Sequence, residues 1–162
     1  MLIIDCTTYD DIRAALGVSD EDLEDVTLEL ALYANSLQAD LEDIDINLPA
    51  TYTTTKAIVA PSAIEARFLQ AANVFATFSV AKQLSSSLPL FAAKQVTDSK
   101  AGVSRFDNSP YKEVIASIDR EYARARNRLA QALAGIGTGT AAATARPYLS
   151  VASPASDPIT GT

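Results

Sequence analysis

The segment SAIEARFLQAANVFATFSVAKQLS, Ser62 to Ser85, reads as a helix that is apolar around most of its circumference. Ser62 and Glu65 stand at capping-box spacing, so the first turn has its own start signal. Beyond it, Ile64, Phe68, Leu69, Ala72, Phe75, Ala76, Phe78 and Val80 occupy most of the helix circumference. Such a helix must be surrounded, and its many alanines let neighbours approach closely. The expected fold is therefore all-α, with this helix at the centre of a small bundle.

Working outward, Ser109-Pro110 opens the other strong helix, with Ser as N-cap and Pro at the first helical position. Tyr111, Ile115, Ile118, Tyr122, Ala125, Leu129 and Leu133 then recur at helical spacing, predicting a helix to about Ala134. Upstream, Thr8 is an N-cap and Gly17 a C-terminal stop for a short helix carrying Tyr9, Ile12, Ala15 and Leu16. Ser19 and Asp22 begin a long second helix whose stripe is Leu23, Val26, Leu30, Tyr33, Leu37, Leu41 and Ile44. The Thr-rich run from Pro49 to Ala60 reads as an extended connection. The expected bundle has one short and three long helices.

Two segments break the helical period. Leu90 to Asn108 has sparse apolar residues and the turn formers Asp98, Ser99 and Gly102, and reads as an extended excursion before the last helix. Lys94, Lys100, Arg105 and Phe106 are its candidate contacts with a neighbouring subunit. The stretch GTGTAAATARPYLSVASPASDPITGT, Gly137 to Thr162, is low in complexity and should not order alone. Fixing each residue costs about 1–2 kcal/mol of backbone entropy, more than its few large apolar groups return without a partner surface. The chain thus divides into a helical domain over residues 1–134 and an extended C-terminal docking arm over residues 135–162. Arg146, Tyr148, Leu149, Val151 and Ile159 are the arm's candidate anchors. Pro147, Pro154 and Pro158 favour an extended path, with a reach of roughly 85 Å at about 3.3 Å per residue.

Composition narrows function. Histidine is absent, which removes the Ser-His and Cys-His arrangements and the commonest nitrogen ligand. The one cysteine, Cys6, reads as a buried thiol. No Gly-rich phosphate loop opens a helix. No cofactor, metal or catalytic residue is assigned, and no enzyme activity is expected. Asp98 or Asp107 with Lys100 is an example of a carboxylate–lysine set to weigh, and turn formation accounts for both aspartates. The start MLIIDC is not expected to be a signal peptide, nor Phe68–Ala81 a membrane span, so cytoplasmic synthesis is expected.

Charge is divided along the chain. Met1 to Leu48 holds thirteen acidic residues and one basic residue, Arg13; the remainder holds seven acidic and twelve basic, for a net charge of −7. Asp20, Glu21, Asp22, Glu24 and Asp25 suit a helix N-terminus. A second cluster, Asp40, Glu42, Asp43 and Asp45, sits at the wrong end for that and has cation binding as an alternative to solvation. Arg120, Arg124, Arg126 and Arg128 ride outside the last helix, as a solvated face or as partners for an acidic neighbour. DNA binding by that helix is disfavoured by the overall acidity.

The stretch TYDDIRAALGVSDEDLEDVTLELALYANSLQADL (Thr8–Leu41) resembles the entry of the head–tail connector proteins of tailed bacteriophages, also called adaptor or head-completion proteins. That entry is a short helix, Gly-Val, an acidic turn and then a long helix. AAKQVTDSKAGVSRFDNSPYKEVIASI (Ala92–Ile118) is similar to the family's excursion and return into a final helix. The resemblance implies a structural virion protein that forms a homo-oligomeric ring, a dodecamer, beneath the portal protein. It also implies a downstream tail or nozzle protein as partner, and passage of viral DNA through the ring. Location in the virion neck, assembly in the host cytoplasm and a C-terminal segment docking on the portal follow from it. Another phage tail-completion or scaffold protein, ordering its arm on a partner, is the alternative.

Overall fold

Two long antiparallel helices organise the computed structural model, which describes residues 3–87 and 110–138. In chain order the described helices are α1 (Ile3–Cys6), α2 (Tyr9–Leu16), α3 (Asp25–Leu28), α4 (Ala31–Glu42), α5 (Leu48–Lys56), α6 (Ala63–Ser85) and α7 (Pro110–Thr138). The described residues contain no strand, so the protein is an all-α bundle.

The central helix forms as its sequence requires. Ser62 Oγ accepts from Glu65 N at 3.3 Å, and Glu65 Oε2 accepts from Ser62 N at 2.7 Å, completing the capping box. Phe68, Ala72, Phe75, Ala76, Val80, Ala81 and Leu84 are buried. α7 lies along α6 more extensively than any other pair of elements. Ile118, Ala125, Leu129 and Ala132 bury its inner stripe. The Phe75 and Tyr122 rings meet with centroids 5.5 Å apart, and Lys82 Nζ lies 3.4 Å from Asp119 Oδ1. At the other end, Gly135 sits against Ile64. These three meetings fix the antiparallel register. The helix passes Ala134 and continues through Gly135 and Gly137 to Thr138.

α2 also follows its signals. Thr8 Oγ1 accepts from Asp11 N at 3.1 Å. Gly17, in the left-handed region at φ +70°, closes the helix by donating to Ala14 O, and Val18 N donates to Arg13 O.

Two expectations are corrected. The long helix from Ser19 does not form: Ser19 to Leu23 is a turn, and the helical path breaks again at Leu30 between α3 and α4. The expected stripe residues Val26 and Leu30 are 69% and 51% exposed, whereas Leu28 is fully buried. A buried Leu23–Leu28 step of five does not fit one straight helix, so the chain turns to bury both. The run from Pro49 is likewise not extended but helical, as α5. Leu48, Tyr52 and Thr55 are buried at steps of four and three, and Pro49 sits in the first turn, where no amide is missed. Thr51, Thr53, Thr54 and Thr55 each donate a hydroxyl to the carbonyl four residues earlier, at 2.8–3.0 Å.

α1, too short to stand alone, is held by side chains from elsewhere. Tyr52 Oη and Lys56 Nζ donate to Asp5 O at 2.8 and 2.6 Å, and Asn73 Nδ2 donates to Cys6 O at 2.8 Å. Carbonyls left over at the helix end thereby find donors on α5 and α6.

Candidate functional site

The acidic half of the chain is built around its one cation. α2 carries Arg13 one turn before Gly17, and the residue is only 8% exposed. Its Nε donates to Leu23 O at 2.9 Å, Nη1 to Asp10 Oδ1 at 3.1 Å, and Nη2 to Asp25. One planar guanidinium thereby ties α2, the turn and the start of α3. Above it lies a cleft of about 570 Å³ whose rim includes Asp10, Asp20, Glu24 and Asp25. Asp20 and Asp22 are occupied locally, accepting from Glu21 N and from Ser19 N and Oγ. Among the described residues, the carboxylates of Glu21 and Glu24 have no partner and face solvent.

The second acidic cluster is dispersed. Asp40 Oδ2 accepts at 2.5 Å from Ser79 Oγ, a fully buried hydroxyl on α6. Glu42 accepts from Gln38 Nε2 at 2.8 Å, and Asp45 from Asn47 N at 2.7 Å. Burial, and then the charges of Asp40 and Asp43, hold the Tyr122 phenol above its usual range, with Arg126 opposing. No group of three or more His, Cys, Asp or Glu among the described residues is placed to hold a metal ion. The cation alternative for this cluster therefore finds no support there.

On α7, Arg120, Arg124, Arg126 and Arg128 are all exposed. Arg124 pairs with Glu121 at 2.5 Å, and Arg120 Nε donates to Ala116 O at 3.2 Å. Arg128 is joined across the helix pair by Arg67 of α6, a residue the sequence reading did not single out. They border a groove of about 240 Å³ with Gln70, Ala71, Val74 and Ala125. Among the described residues, neither Arg67 nor Arg128 has an ion pair or a hydrogen bond. The antiparallel register was the signal that could have found it.

A third cleft, of about 600 Å³, lies between α1, α4 and α5 and includes Asp5, Gln38, Tyr52 and Lys56. Beside it Cys6 is buried, as its sequence context implied. Burial pushes the Cys6 thiol up to about 11, with the Tyr52 hydroxyl acting in the opposite sense. Burial and the neighbouring Cys6 push Tyr52 up to about 12. The raised values keep both groups in their protonated forms at neutral pH, the weakly nucleophilic form for the Cys6 thiol.

Lys94, Lys100, Arg105 and Phe106 of the excursion, Asp98 and Asp107, and the arm residues Arg146, Tyr148, Leu149, Val151 and Ile159 lie outside the described residues. No described helix is long and apolar enough to cross a membrane.

What fold and surface define is an all-α bundle with an acidic cleft around Arg13 and an arginine-bordered groove between α6 and α7. No known family model, curated protein or solved structure matches the chain.

Proposed function

We propose that this chain is a structural virion protein, the head-to-tail connector or adaptor of a tailed bacteriophage. In this reading it forms a homo-oligomeric ring, a dodecamer, that joins the portal vertex to the tail and lines the DNA channel. The observation that carries the proposal is the geometry of the α6–α7 pair. Because the two helices are antiparallel, α6 ends and α7 begins at one end of the pair. α7 ends at Thr138, at the opposite end, just past the contact of Gly135 with Ile64. At about 1.5 Å per residue, the 23 residues of α6 separate these two ends by about 34 Å. A subunit so built offers one segment to each of two partners stacked along an axis: the portal on the arm's side, a downstream tail or nozzle protein on the other.

The order of elements in the first half fits that reading as far as the acidic turn; the long helix that the resemblance implies next is broken at Leu30. A short helix ends at Gly17-Val18, an acidic turn follows, and helices resume at Asp25. The exposed Asp43 and Asp45 at the end of α4 would face the channel, where negative charge repels the phosphate backbone of passing DNA.

The test is co-sedimentation with the portal protein encoded by the same genome. The full-length chain should bind, and a chain ending at Thr138 should keep its helical circular dichroism and lose binding. Full binding by the shortened chain would remove the docking-arm role, and no binding by the full-length chain would remove the connector reading.

A further inference from the structure

We propose that the arginine groove between α6 and α7 receives the acidic Asp20–Asp25 turn of a second copy of this chain. The groove has two guanidinium groups, Arg67 and Arg128, over a floor of Ala71, Val74 and Ala125. Neither arginine has a partner among the described residues, although the chain carries a net charge of −7. Forked guanidinium groups fit carboxylate and phosphate alike, and this chain's own acidic turn supplies the first.

The turn supplies that chemistry in a fixed shape. Arg13 anchors it through Leu23 O and Asp25, and Leu23 is buried beneath it. Its free carboxylates, Glu21 and Glu24, are thus presented on a backbone already ordered, which reduces the entropy lost on docking. The groove and the turn are different surfaces of one subunit, so the contact runs head-to-tail from copy to copy unless two copies exchange it reciprocally as a two-fold dimer. Repeated, such a contact closes into a ring or propagates as a filament. This names the contact for the ring proposed above and rests on that reading only for closure.

A charge-reversal cycle on the full-length chain, read by sedimentation velocity, tests it. The first variant carries Arg67→Glu and Arg128→Glu; the second carries Glu21→Arg and Glu24→Arg. All four side chains are exposed and unpaired among the described residues, and unchanged circular dichroism checks that the bundle is intact. In 0.1 M salt the wild type should self-associate, and each variant should do so at least tenfold more weakly. An equimolar mixture should recover association, because each variant's altered surface now fits the other's. Raising salt to 1 M, where screening acts within about 3 Å instead of about 10 Å, should weaken the wild-type contact.

A monomeric wild type, variants that associate like wild type, or a mixture that fails to recover would each overturn the contact. So would a duplex oligonucleotide that binds through Arg67 and Arg128 without competing with self-association, which would give the groove to nucleic acid. Portal binding separates the two proposals: reversals without effect in a chain that binds portal remove only this contact. Reversals that behave as stated in a chain that binds no portal remove only the connector reading.

Discussion

Replacing Arg13 by methionine keeps an unbranched apolar stem and deletes the fork that holds the acidic turn. The largest loss is the charged donor to Leu23 O, a bond of 2.9 Å made by a side chain 91% buried. A hydrogen bond from a charged group contributes about 1.5–3 kcal/mol. Asp10, 92% exposed, adds close to nothing, and Asp25, 59% exposed, adds at most about 1 kcal/mol. Arg13→Met should therefore cost about 2–4 kcal/mol, a fall in Tm of roughly 10 °C for a domain of this size. Urea denaturation followed at 222 nm measures it, with the slope unchanged if the unfolded state is unaltered. Most of the loss should persist in 1 M salt, because the bond to Leu23 is buried and only the aspartate pairs are screened. Arg13→Lys should recover less than half, since an ammonium group cannot reach three separated acceptors in one plane. A loss below about 0.5 kcal/mol for Arg13→Met would refute the hub and, with it, the fixed shape of the turn.

Other perturbations report on separate parts of the bundle. Phe75→Ala, which empties a fully buried site against Tyr122, should cost about 3–5 kcal/mol in the same assay. Gly17→Ala should cost about 1 kcal/mol from backbone conformation alone, because the added Cβ meets nothing within 4 Å; a neutral result would mean the left-handed cap is absent. Ser62→Ala should cost about 1 kcal/mol through loss of the α6 cap. Cys6 holds its proton more tightly when folded than when unfolded. Its contribution is whole below pH 9 and is lost as pH rises from about 9 to about 11, with Tyr52 extending the loss towards 12. Cys6→Ala should flatten the first part of that alkaline limb, and iodoacetamide should label the native thiol far more slowly than the unfolded one at pH 8.

Where local chemistry decides structure, the residues could be read directly. Thr8, Gly17 and the Ser62–Glu65 pair act within four residues of themselves, and each does what its type implies. The largely apolar α6 likewise announced the burial of Phe68, Ala72, Phe75, Ala76 and Val80, although Ile64 near its start is 48% exposed. The break at Leu30 could not be read, because Leu23, Val26 and Leu30 keep a helical period that the structure abandons. What redirects the chain is distant demand: Arg13, ten residues away, bonds Leu23 O, and beyond it Leu28 is buried in place of Val26 and Leu30. α5 was hidden by its threonines, whose low helix propensity is overridden by the burial of Leu48, Tyr52 and Thr55. Of the charged surfaces, the acidic turn was visible as composition. The arginine groove was not, because Arg67 and Arg128 meet only through the register of α6 against α7.

Quantitative mass spectrometry of purified virus particles bears most directly on the connector proposal. If the chain is a neck component, it is present in every particle at the same copy number as the portal, and stays with the portal when the particles are disrupted. Its absence from purified particles, or a copy number unrelated to that of the portal, would contradict the account.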